Sequence, residues 1–164
     1  PGQWAVQTAL GGYQSIRDLV KPGGRLYQSR QAILDAVAAS RYLRLTTPMG
    51  AMYAFVGVRR DVLPEFDDQS FAMDLLENKH VVVAPGTSFN APYATHFRVT
   101  NLPEPEVLRD VFGRIEEQLD TYAAARAAGT SAPADALRGG PKGDERTAPG
   151  PAAAGPAIRV VGKA

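Results

Sequence analysis

Cysteine is absent from the 164 residues, which excludes disulfides and thiolate chemistry and suits a cytoplasmic protein. With only two histidines beside it, an all-protein zinc site lacks ligands. No apolar run approaches the roughly 18 residues of a membrane helix, so no membrane partner is expected. Charge of one sign is lacking as well. Eighteen Lys/Arg against 17 Asp/Glu leave a net charge of +1, with no strong pull toward nucleic acid or a lipid surface. What is present, 45% hydrophobic residues and 8% aromatics, fits a globular chain long enough for one domain with a real core.

The chain opens on Pro1-Gly2-Gln3-Trp4 rather than Met. These residues read as protein interior, so a processed or partial chain is expected. Composition shifts near Ala128. Residues 128–164 hold five of the 13 prolines, five Lys/Arg and three Asp/Glu, a charge of +2, and no aromatic residue. Such a segment cannot bury enough surface to offset its ordering entropy, and a disordered Ala/Gly/Pro-rich tail is expected there. Its one apolar run, Ile158–Val161, is a weak strand candidate.

Residues 1–127 carry the structural signals. Val6, Ala9, Leu10, Tyr13, Ile16 and Val20 fall on helical spacing, and Lys21-Pro22-Gly23-Gly24 ends that helix. Leu26, Ile33, Leu34 and Val37 predict a second helix ending near Ser40. Tyr42–Leu45 and Met52–Val56 read as strands around a turn. Asp67, Asp68 and Ser70 open a helix with Phe71, Leu75 and Leu76 on one face. Val81–Ala84 reads as a buried strand and residues 96–100 as another. Val107, Leu108, Val111, Phe112, Ile115, Leu119 and Tyr122 trace a long closing helix. This order predicts an α/β two-layer sandwich, a small and mostly antiparallel sheet covered by helices.

Arg98 is the main candidate for chemistry. Its neighbours Phe97 and Val99 take one face of a strand and leave Arg98 on the other. A guanidinium is a planar fork of donors that matches a carboxylate and stays charged at working pH. On spacing alone the commoner case is a strand arginine facing solvent or a surface acid. Pro85–Asn90 is a turn in which Gly86 permits close backbone approach or a positive φ. It matches no dinucleotide or P-loop pattern. Glu65, Asp67 and Asp68 read as a helix start rather than a cation site. Glu116 and Glu117 read as a solvated helix face.

Three ordered blocks carry a resemblance: Pro48-Met49-Gly50-Ala51-Met52-Tyr53-Ala54-Phe55, Pro85-Gly86-Thr87-Ser88-Phe89-Asn90, and His96-Phe97-Arg98-Val99. With Gln7–Gly12 and Pro22–Tyr27 before them, they resemble the C-terminal portion of class I, fold-type-I pyridoxal-phosphate aminotransferases. The bacterial alanine (glutamate–pyruvate) enzymes are the nearest in kind. The resemblance spans roughly residues 3–124. It departs from the family pattern at Ser88, usually Gly, and at Ala91, usually Trp.

The resemblance implies that residues 1–127 comprise interdomain helices and the small domain of such an enzyme. Arg98 would bind the α-carboxylate of the amino acid, with Gly50 and Asn90 as weaker substrate-side candidates. It implies pyridoxal phosphate as cofactor, an amino acid and a 2-oxo acid as substrates, and a homodimer. It also implies a Schiff-base lysine in a Ser-x-x-Lys segment upstream, which Lys21, Lys79, Lys142 and Lys163 do not match. The chain alone is therefore expected to be inactive. Two other readings stay open. One is a related pyridoxal-phosphate enzyme or the aminotransferase-like effector domain of a transcription regulator. The other is a stand-alone binding module.

Overall fold

In the computed structural model, which describes residues 2–13 and 15–129, side chains along the central strands alternate strictly. Ala54, Val56 and Val58 of β2 (Tyr53–Val58) and Phe97 and Val99 of β4 (His96–Thr100) are buried on one face. Tyr53, Phe55, His96 and Arg98 take the other, as the two-residue period requires. β1 (Leu43–Leu45) and the two-residue β3 (Ala84–Pro85) complete an antiparallel sheet of order β1-β2-β4-β3. In its register Phe55 opposes Arg98, Tyr53 opposes Thr100, and Ala84 opposes Arg98 from the other side.

Helices α3 (Arg25–Ala39), α4 (Asp68–Lys79) and α5 (Pro105–Ala127) supply the second layer. Ile33, Phe71, Leu75, Ile115 and Leu119 are buried in a single cluster with the inward-facing strand residues. The expected two-layer α/β sandwich is the observed architecture. Asp67 caps α4 as its sequence position predicts, its carboxylate accepting from the Ser70 N–H at 2.8 Å. Among the described residues, no helix is long and apolar enough to cross a membrane.

Four details differ from the sequence expectation. The first helix is two, α1 (Gly2–Gly11) and α2 (Ile16–Val20), because Gly11-Gly12 interrupts the periodic run where helix propensity is poor. Val81–Val83 does not pair in the sheet. His80 adopts a left-handed conformation and the Val81 N–H closes back onto the Leu75 carbonyl, so Val82 is left 80% exposed between buried Val81 and Val83. Leu76 points outward while Phe71 and Leu75 are buried. Glu116 is not on a purely solvated face, since its carboxylate accepts from the Ser40 hydroxyl at 2.6 Å. The expected tail lies, from residue 130 onward and including Ile158–Val161, outside the described residues.

Candidate functional site

The helices leave the outer face of the sheet uncovered, and two arginines emerge on it, Arg44 from β1 and Arg98 from β4. The guanidinium carbon of Arg98 lies 4.2 Å from the centre of the Tyr53 ring and 4.5 Å from that of Phe89. Tyr53 reaches it diagonally from β2, two residues along from the directly opposed Phe55. Phe89 comes from the 3-10 turn Gly86–Phe89 that leads out of β3. Among the described residues the Arg98 guanidinium makes neither a hydrogen bond nor an ion pair. It lines a cavity of about 520 Å³ whose other walls include Tyr53, Val82, Thr100, Val107 and Arg114. Arg114 is already paired with Asp110 at 2.8 Å. The Arg98 guanidinium thus packs against two rings and has no polar partner among the described residues.

The turn that delivers Phe89 is anchored by a residue that sequence reading assigned only to the start of a helix. Asp68 is fully buried, and its carboxylate accepts from the Thr87 N–H at 2.7 Å and from the Thr87 hydroxyl at 3.1 Å. Gln69 reaches the same hydroxyl at 3.2 Å. Gly86 is required for close approach rather than for a positive φ. A Cβ there would stand 2.7 Å from the His96 carbonyl oxygen and 2.9 Å from the Phe55 ring. The partners are the protein's own backbone and ring. After Phe89, Asn90 turns the chain away in a left-handed conformation, φ 56°. A local signal for the anchor exists, a Thr directly after the Pro-Gly of the turn. Its partner Asp68 is 19 residues away, beyond the reach of pattern reading.

His96, on the same face, stacks on Phe55 at 5.1 Å between ring centres and meets Tyr93 at 4.6 Å. Burial, and then the positive charge of Arg44, hold its pKa below the ordinary histidine value. The imidazole is neutral near pH 7 and serves as a flat packing surface. Phe55 in turn meets the edge of Phe89 at 6.4 Å, so the aromatic array continues to Arg98.

The structure separates the three residues singled out in the sequence. Asn90 directly follows Phe89 in the chain but does not line the Arg98 cavity. Gly50 lines a different cavity, of about 240 Å³, with Arg30, Met49 and Asn101. The acids Asp67 and Asp68 are spent on a helix cap and on the turn, and no group of three or more potential metal ligands occurs among the described residues.

Known proteins match this chain over most of its described length. The family described as aminotransferase class I and II matches residues 1–115. Glutamate–pyruvate aminotransferase AlaA of Escherichia coli is 40% identical over 122 residues, which is 74% of this chain and 30% of that protein. Alanine aminotransferase of Mycobacterium tuberculosis is 38% identical over 122 residues, 74% of this chain and 28% of that protein. Among solved structures, an aminotransferase from Escherichia coli superposes with a TM-score of 0.68 at 34% identity. It covers 73% of this chain and 30% of the other. The chain spans less than a third of the length of these relatives.

The matched proteins are of a kind that depends in general on pyridoxal phosphate, and the described residues do not fit that group. Lys21 is paired with Asp18 at 2.8 Å and Lys79 with Glu117 at 2.7 Å. Neither lines the Arg98 cavity. Neither lysine among the described residues is placed to hold the cofactor.

Proposed function

The chain belongs to the aminotransferase class I and II family, and from that premise we propose that it is the C-terminal, substrate-gripping part of a pyridoxal-phosphate-dependent aminotransferase. The complete enzyme moves an amino group between an amino acid of the alanine or glutamate type and a 2-oxo acid. Residues 1–127 form the working part, and 128–164 are a tail outside it. The cofactor and its lysine are held by the portion upstream. The enzyme is a cytoplasmic homodimer.

A single observation carries this reading. Arg98 presents an unpaired guanidinium, flanked by two rings, at a cavity where the other arginine already has its acid. A carboxylate is the partner that such a planar fork lacks. Holding the α-carboxylate fixes the amino acid so that its Cα–H faces the reacting group, and positioning of this kind contributes several kcal/mol to catalysis. Asn90, next after Phe89 in the chain, is a weaker second candidate. Gly50, which lines a separate cavity, is the other weak substrate-side candidate.

In the complete enzyme, Arg98→Ala is expected to raise the KM for the amino acid about tenfold or more while the cofactor absorbance stays in place. Unchanged steady-state kinetics would remove Arg98 from the site. The 164 residues alone are expected to show no transamination with cofactor added.

A further inference from the structure

The surroundings of Arg98 say more than that it binds an anion. On the reading that Arg98 receives a carboxylate, we propose that Phe89 and Tyr53 make this site selective for a planar carboxylate over tetrahedral oxyanions, by covering the two faces of the guanidinium.

The argument starts from the shape of the group. All five donors of a guanidinium lie in its plane, and its faces offer none. The Tyr53 and Phe89 rings stand 4.2 Å and 4.5 Å from its central carbon. Tyr53 comes from β2 and Phe89 from the turn after β3, the strands on either side of β4, so the rings approach the guanidinium from two sides. Each adds an attraction of the cation–π kind. Together they hold a long side chain that otherwise has no partner to fix it. With a ring against each face, the edge and its parallel N–H donors are left for the ligand.

A carboxylate fits that opening completely, because both its oxygens lie in one plane and meet both donors. A phosphonate or sulfonate presents a third oxygen out of that plane. Against a ring this oxygen faces aromatic carbon, gives up water on that side and finds no donor, which costs free energy. A bare arginine makes no such distinction, since guanidinium forks bind phosphate as readily as carboxylate.

Both walls are built rather than incidental. Tyr53 is fixed by the register of β2 against β4. Phe89 is fixed by the Asp68–Thr87 bonds at the base of its turn, by the edge contact with Phe55, and by the tight seat of Gly86. The buried Asp68 therefore acts at a distance on the arginine, through the turn.

The test uses the complete enzyme with L-alanine as substrate and its phosphonate analogue, (1-aminoethyl)phosphonic acid, as competitor. Phe89→Leu, which keeps apolar bulk but removes the ring, is expected to raise the alanine KM about fivefold, with kcat changed less. It is also expected to narrow the carboxylate-over-phosphonate preference by a similar factor. Tyr53→Leu should act in the same direction, and Phe89→Tyr, which restores a ring, should return both values toward the parent. If Phe89→Leu leaves the preference at the parental value while Arg98→Ala raises the alanine KM, the two-faced clamp is refuted and the carboxylate role of Arg98 stands. If Arg98→Ala also leaves the KM unchanged, the underlying reading falls and the clamp with it.

Discussion

The two N-terminal helices and the body that follows them share one sequence pattern and reach opposite ends. In α1 and α2 apolar residues recur at helical spacing, yet neither helix has a buried residue. Trp4 is 90% exposed and Leu10 75%. In α4 and α5 the same spacing puts Phe71, Leu75, Ile115 and Leu119 in the core with almost no exposure. Termini differ in the same sense. Asp67 caps α4 through its side chain, whereas Ser15 makes no side-chain cap for α2. Periodicity defines an apolar face; it does not supply the surface that covers it. Short helices without such cover are marginal in water.

Substitutions can break or sharpen this contrast. The largest effect is expected in the body. Phe71→Ala removes a ring that contacts Phe66, Phe97 and Tyr122 and should cost about 3–5 kcal/mol in urea denaturation of the 164-residue chain. A loss below about 1 kcal/mol would mean that the cluster does not hold the fold. An intermediate effect is expected at the cap. Asp67→Ala, which frees the Ser70 N–H, should lower stability by about 1 kcal/mol, and no change would show the cap to be replaceable by water. The smallest effect belongs to α1. Leu10→Ala should change the stability of this chain by no more than about 0.5 kcal/mol. A clear destabilisation would erase the difference between the two regions.

Much of the body was legible because its signals are local. Asp67 with Ser70 three residues later marks a helix start, and the Val107–Tyr122 spacing marks α5. The alternation around Arg98 put Phe97 and Val99 inside and the arginine outside. Legibility failed where the outcome depends on a distant partner. The four residues Val81–Ala84 look like a strand, but the turn at His80 and the Val81–Leu75 hydrogen bond keep most of them out of the sheet. Asp68 reads as one more acid at a helix start. Only its bonds to Thr87 show that it secures the turn carrying Phe89. Glu116 reads as solvated until Ser40 is brought against it.

The same division runs through the candidate site. The sequence by itself determined the α/β class, the strand that carries Arg98, the face on which that arginine emerges, and the family to which the ordered motifs point. These follow from backbone periodicity and residue chemistry, which act over a few positions. Tertiary structure alone decided that Tyr53 and Phe89 flank the guanidinium, that Gly50 lines a separate cavity, and that α1 and α2 stay uncovered. Each of these depends on how segments far apart in the chain approach one another. That is settled by packing and by the closing of hydrogen bonds between distant residues, which no local pattern encodes.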